Sequence, residues 1–259
     1  MTGDPVVRIA MWSGPRNIST AMMRAFGARP DCAVTDEPFY AAYLVATGLS
    51  HPMRDEVIAS QPANWRKVAE TLVGAAPGGK AIWYQKHMTH HMLPEFGREW
   101  SDELVNAFLI RAPAAVLASY AQKRGDFTLE EIGLPAQAAL FDRAADRLGR
   151  APPVVESQDV LADPRGMLTS LCEACRVPFD AAMLTWEPGR RPSDGAWAPA
   201  WYEAVERSTG FAPPRREACL EDLPHALRPV AEAAQPIYER LARYRLAANK
   251  DTDVRPARS

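Results

Sequence analysis

The chain has 259 residues, 47% hydrophobic and 24% charged, with a formal net charge of −2. That length and apolar content suffice for a sizeable core without disulfides, and the charge balance excludes bulk attraction to nucleic acid or to an anionic membrane. Cysteines are sparse (Cys32, Cys172, Cys175 and Cys219), the polar start Met1–Pro5 carries no leader signature, and no apolar run approaches the ~18 residues of a membrane span, so a reducing, cytoplasmic setting is expected.

Val6 to Trp12 (VVRIAMW) is a short apolar run stopped by Ser13-Gly14-Pro15, the pattern of a buried strand entering a loop. Asn17 to Phe26 has helical composition, with Ile18, Ala21, Met22, Ala25 and Phe26 on one face. Ala33 to Thr35 is a second strand before Asp36-Glu37-Pro38. Ala41 to Leu49 and Asn64 to Val73 read as helices, and Ala81 to Gln85 as a third strand. Leu104 to Ile110 is a fourth strand, stopped by Arg111-Ala112-Pro113, and Pro113 opens a helix to about Lys123. Pro135 to Leu148 is helical and Pro153 to Val155 is a fifth strand. Asp163 and Pro164 cap and start a helix to Cys175. Trp186 to Pro199, rich in Gly, Arg and Pro, reads as a loop. Leu223 to Arg245 contains a long last helix, and a disordered tail is expected from about Asn249. Strands alternating with helices predict an α/β fold, a parallel sheet flanked by helices in a three-layer sandwich, as one domain over residues 1–259. Ligands then bind at the carboxyl ends of the strands.

The segment Ser13-Gly14-Pro15-Arg16-Asn17-Ile18-Ser19-Thr20 joins the first strand to the first helix. A helix N-terminus offers unpaired N–H groups and a partial positive charge, which suits an anion. Gly14 permits close backbone approach, Arg16 adds a cationic fork, and Ser19 and Thr20 place hydroxyls in the first turn. It is not a Walker A loop, because the second glycine and the lysine of G-x-x-x-x-G-K-[ST] are missing. The same residues also read as a plain strand-to-helix turn whose hydroxyls cap the helix.

Pro15 to Thr20 resembles the first loop of the P-loop sulfotransferases of bacterial type, P-[RK]-S-G-T-[ST], with Asn17 for Ser and Ile18 for Gly. Ile110 to Tyr120 resembles that family's strand–Arg-x-Pro–helix element, and Arg111 and Ser119 keep its eight-residue spacing. Val155 to Pro164 resembles its E-D-L–x-x-D-P segment. Gly189 to Trp197 resembles the late R-K-G…G-x-W loop, with Pro192 where Gly is usual. The likeness runs from about Val6 to about Phe211. It implies a nucleotide-binding domain whose donor is 3'-phosphoadenosine 5'-phosphosulfate. The 5'-phosphosulfate would lie on residues 13–20 and the 3'-phosphate on Arg111 and Ser119, with Arg190 and Arg191 closing over the nucleotide. The implied activity is sulfuryl transfer to a hydroxyl or amine of a small acceptor, without a metal.

Such a transfer relies on positioning and charge stabilisation, by analogy with phosphoryl transfer. It also needs a base for the acceptor proton and a cation at the leaving oxygen. Glu37, ending the second strand, and His87, in Gln85-Lys86-His87, are the two candidate bases. Some bacterial relatives carry a catalytic Glu in a similar Glu-Pro segment. Many cytosolic relatives have Lys-x-His, whose spacer this chain lacks. Arg16 is the preferred leaving-group cation, with Lys86 as a second candidate. Glu37 reads equally as a cap or ion-pair partner, and His87 as a structural imidazole. His87, His90 and His91 cluster, but Met88 stands where H-E-x-x-H has its base, so no metal is expected. Cys172 and Cys175, with no second pair, read as buried small residues. Two other readings stay open: an ATP-using P-loop enzyme such as a kinase, and a non-catalytic nucleotide-binding protein of the same fold. The acceptor pocket is expected around Tyr40 to Trp65 and Phe127 to Leu140.

Overall fold

Successive side chains of a strand point to opposite faces, so a strand apolar at every position is buried on both. The computed structural model, which describes residues 6–121 and 127–250, is built on five strands whose apolar residues fall on both faces: β1 (Val7–Ser13), β2 (Cys32–Asp36), β3 (Ile82–Met88), β4 (Val105–Ile110) and β5 (Val154–Glu156). They form one sheet in the order β2-β3-β1-β4-β5, and each neighbouring pair is parallel. Ile9, Met11, Ile82, Tyr84, Ala107 and Leu109 face one hydrophobic cluster, while Ala10, Trp12, Trp83, Phe108 and Ile110 face the other.

The helices cover these two faces. They are α1 (Ser19–Gly27), α2 (Tyr40–Thr47), α3 (Arg54–Ser60), α4 (Trp65–Val73), α5 (Pro113–Ala121), α6 (Leu134–Leu148), α7 (Ser157–Ala162), α8 (Pro164–Ala174), α9 (Ala198–Trp201), α10 (Glu203–Glu206) and α11 (Arg228–Ala242). Met22 and Phe26 of α1 and Leu168 and Leu171 of α8 pack on the first face. Leu72 of α4, Leu117 of α5, Phe141 of α6 and Leu241 of α11 pack on the second. The expected three layers are therefore present. β1 hands the chain to one side of the sheet and β4 to the other, which makes the carboxyl ends of β1 and β4 a topological switch point, where open parallel sheets bind ligands.

Most elements lie within a few residues of their expected bounds, and the exceptions have local causes. α1 begins at Ser19, because Ile18 takes a left-handed conformation (φ 41°) that ends the loop. α7 was not foreseen. Its cap is the Glu156 carboxylate, which accepts from the backbone N–H groups of Gln158 and Asp159. α3, α9 and α10 were not foreseen either; α3 has only Val57 buried, so it lacks an apolar stripe to signal it, and α9 and α10 are single turns. The loop from Trp186 continues until α9 begins at Ala198. The expected end of α5 near Lys123, and most of the tail expected from Asn249, lie outside the described residues.

β3 runs three residues past its expected end, and its alternation then decides two side chains. Lys86 falls on the face of Tyr84. His87 falls on the opposite face, stacked on Trp12 at 4.5 Å and ringed by Phe39 and Trp100. Burial holds the His87 imidazole down to about 3 and that of His91 well below its usual value. Both are neutral when folded, yet in the unfolded chain they take a proton near ~6.5. Their contribution is therefore complete above that pH and lost as pH falls, at up to about 1.4 kcal/mol per pH unit for each histidine. Urea denaturation between pH 7 and pH 5 should show stability falling with this sign, and His87→Phe should make the slope shallower.

Candidate functional site

The loop from Ser13 to Ile18 is wound tightly at the switch point. Arg16 (φ 56°) and Ile18 (φ 41°) are both left-handed. A β-branched residue there costs on the order of 1–3 kcal/mol, which Ile18 offsets by packing against the core. Alternation of left- and right-handed residues turns backbone N–H groups toward a common point, a concavity suited to anions. The turn is pinned from below. Asn17 Nδ2 donates to Leu109 O (2.7 Å), and Gln137 Nε2 donates to both Trp12 O (3.0 Å) and Leu109 O (2.9 Å). Ser13 Oγ and Asn17 Oδ1 are buried without a hydrogen-bond partner among the described residues. Gly14 is required, since a Cβ on it would lie 2.5 Å from Ile132 O.

Three polar side chains meet above this turn. Arg16 Nε donates to Ser119 Oγ (3.0 Å), and Arg111 Nη1 donates to Arg16 O (2.7 Å). Burial lowers the Arg16 guanidinium below its usual range; Tyr120 offsets part of this and Arg111 adds to it. Two guanidinium groups drawn together in a half-buried place call for an anion. The chain itself supplies one, as Arg111 Nε pairs with Glu217 Oε1 at 2.7 Å.

A second cluster stands at the carboxyl ends of β2 and β3. Their register sets Asp36 beside Lys86, and the Glu37 N–H donates to Lys86 O (2.9 Å). Lys86 Nζ contacts Glu37 Oε1 (2.6 Å), Asp36 Oδ1 (2.8 Å) and the Tyr202 hydroxyl (2.6 Å), which uses all three of its donors. Tyr202 donates to Asp36 Oδ2 (2.8 Å) and accepts from Trp197 Nε1 (3.1 Å). Burial of Lys86 opposes its charge, but Asp36 and Glu37 outweigh this and raise it well above its usual pKa. Burial also raises Glu37; Lys86 pulls it back and Asp36 adds to the rise. Glu37 is left-handed (φ 40°), a strained conformation of the kind that collects at functional sites. Beside it, His91 Nδ1 lies 4.0 Å from Glu37 Oε2, and Tyr40 and Tyr43 stack on the His91 ring. Tyr120 feels the charges of both Glu37 and Arg16.

A family model described as "Sulfotransferase domain" matches residues 7–243. The chain belongs to the sulfotransferase domain family. The "Sulfotransferase Domain from the Curacin Biosynthetic Pathway" has the same fold, with TM-score 0.50 and 16% identity over 92% of this chain and 98% of that one. The branched-chain-amino-acid aminotransferase-like proteins 1 and 2 of Arabidopsis thaliana are each 36% identical to it over 208 residues, 80% of this chain. The chain spans only 37% of the length of those relatives. Among the described residues no helix is long and apolar enough to cross a membrane.

In this sulfotransferase domain, Arg16, Arg111 and Ser119 come together around the turn of Ser13, Gly14, Pro15, Asn17 and Ile18, with Ser19 and Thr20 in the first turn of α1. Four expected side chains stand elsewhere. His87 lies in the aromatic cluster on the other face from Lys86, because the missing spacer reverses its side of the strand. That correction takes it away from the carboxylates. Lys86 is enclosed by Asp36, Glu37 and Tyr202, with no donor left for a leaving group. Arg191 lines a groove with Met23, Arg24 and Gly27, at the far end of α1 from the loop, and donates to Glu187 O (2.7 Å); Arg190, its neighbour, is exposed. The buried Arg24–Asp194 ion pair (2.7 Å) fastens that loop there. Asp36, Tyr202 and Glu217 were missed, and Trp197 was read only as the end of the late loop. Asp36 adjoins Glu37, whereas Tyr202 and Glu217 reach the site across more than a hundred positions and carry no local signal.

Gly14→Ala should cost about 1–3 kcal/mol through its clash with Ile132 O, read as a lower melting temperature. Lys86→Met leaves two carboxylates buried without a cation. It should cost about 3–5 kcal/mol in urea denaturation at neutral pH.

Proposed function

We propose that this sulfotransferase domain is a single domain over residues 1–259 that uses 3'-phosphoadenosine 5'-phosphosulfate. On this reading it passes the sulfuryl group to a hydroxyl or amine of a small acceptor, without a metal. The observation that carries the reading is the meeting of Arg16, Arg111 and Ser119 at the β1/β4 switch point. The left-handed turns and the orphaned Ser13 and Asn17 oxygens fit an anionic nucleotide. When bound, the donor supplies a sulfuryl group on a phosphate leaving group.

The residues divide the work. The loop N–H groups, Ser19 and Thr20 hold the 5' end, and Arg16 stands by the leaving oxygen as its cation. Arg111 and Ser119 hold the 3'-phosphate, with a fork suited to phosphate. Glu37 takes the acceptor proton: burial makes it a stronger base than an ordinary carboxylate, while Lys86 keeps it ionised and in place. Asp36 and Tyr202 act through Lys86 as positioning residues. Tyr40, Tyr43, His90 and His91 form an aromatic wall beside Glu37 against which a small acceptor lies. A reducing, cytoplasmic compartment fits the four free cysteines, three of them buried.

Calorimetric titration with 3',5'-adenosine bisphosphate, with AMP and ATP as controls, tests the donor class. Selective binding of the bisphosphate is expected, and preference for ATP would overturn the reading. Arg111→Ala should weaken bisphosphate binding by roughly tenfold or more while leaving AMP nearly untouched. Equal losses would remove Arg111 from the 3'-phosphate. Glu37→Gln should lower turnover by about 10²-fold or more with donor affinity retained. The acid limb of the wild-type pH profile, displaced above the ordinary carboxylate range, should vanish with it.

A further inference from the structure

Arg111 is already occupied. Its Nε pairs with Glu217 and its Nη1 donates to Arg16 O, both at 2.7 Å. Of the five N–H bonds of a guanidinium, the two on Nη2 and one on Nη1 are without a partner among the described residues. Glu217 stands in an irregular stretch of chain. That stretch starts after Gly210, bridged to Thr185, and ends at Cys219, whose N–H is held by Asp222 (2.9 Å). The carboxylate is tethered at a distance on both sides and belongs to no helix or strand. Its side chain is 17% exposed, so it can leave the guanidinium for water. Glu156, at the end of β5, feels the Glu217 charge, and like charges repel. Arg111 therefore holds Glu217 against a neighbour that favours its departure.

Given the donor reading above, we propose that Glu217 sets the selectivity of the domain at the nucleotide's 3' position. The carboxylate is an internal anion on the guanidinium assigned to the 3'-phosphate. A nucleotide with a 3'-phosphate binds only by displacing it, because phosphate and carboxylate together crowd like charge onto one cation. A nucleotide with a free 3'-hydroxyl brings no charge to that place and leaves the ion pair intact. Glu217 thus compresses the preference for 3'-phosphorylated nucleotides that Arg16, Arg111 and Ser119 would otherwise give.

Titration calorimetry at low salt on the wild-type chain and on E217Q and E217A, with 3',5'-adenosine bisphosphate and AMP as the probes, tests this. Both variants should bind the bisphosphate roughly tenfold tighter than wild type, with AMP affinity changed by less than about twofold. The gain should shrink as salt rises. Unchanged or weaker bisphosphate binding would overturn the proposal and make Glu217 a support for Arg111. Equal tightening of both nucleotides would also overturn it, since the charge would then act on the whole site. If no protein binds the bisphosphate, the donor reading itself fails and the role of Glu217 with it. If all three bind it equally, the donor reading stands and only Glu217 loses its role.

Discussion

An ammonium group enclosed by protein must find its compensation nearby, and Lys86 is such a group. Its three donors go to Asp36, Glu37 and Tyr202, which come from the end of β2 and from the segment after α9. One cation thereby ties the central sheet to a segment more than a hundred residues away. Leaving any of these oxygens without it would strand a buried charge or dipole, an expensive outcome in a low-dielectric interior. The arrangement also bears on Glu37, a buried carboxylate beside Asp36. Burial and the like charge push its proton affinity up, and the ammonium holds it in check.

The carboxyl edge of the sheet is consequently polarised. At the β1/β4 end stand Arg16 and Arg111, over a turn whose backbone N–H groups add to the positive field. At the β2/β3 end stand Asp36 and Glu37, balanced by a single lysine. Positive and negative surroundings thus stand side by side along one sheet edge. Precision comes from the layers beneath. Gln137 and Asn17 bind the carbonyls of β1 and β4, and the backbone near Ile132 closes on Gly14. The tight turn after β1 rests on α6 and its approach as much as on its own strand and helix.

The fold was legible because its determinants are local or periodic. Apolar runs marked the five strands and helical stripes marked most helices, and both follow from a few residues of pattern. α3, with one buried residue, and α7, capped by a carboxylate at a strand end, lack such a pattern and were not foreseen. The same limit divides the site. Arg16 and Ser119 could be singled out because each sits in a strand-to-helix motif, and Glu37 because it ends a strand. His87 turned on a single position. With β3 extending to Met88, strand alternation sends Lys86 and His87 to opposite faces, so only one of them could reach the carboxylates.

The amino-acid sequence by itself determined the α/β class, the place of the tight turn after β1 and the choice of Arg16, Arg111 and Ser119, which the structure brings together, because each lies in a short strand-to-helix stretch. Tertiary structure alone decided that Tyr202 and Trp197 complete the carboxylate cluster, that the Arg191 loop is fastened to the far end of α1, and that Glu217 lands on Arg111. These are meetings of groups far apart in sequence, fixed by burial and charge compensation once the sheet has formed. No spacing along the chain encodes which distant carboxylate a half-buried guanidinium will find.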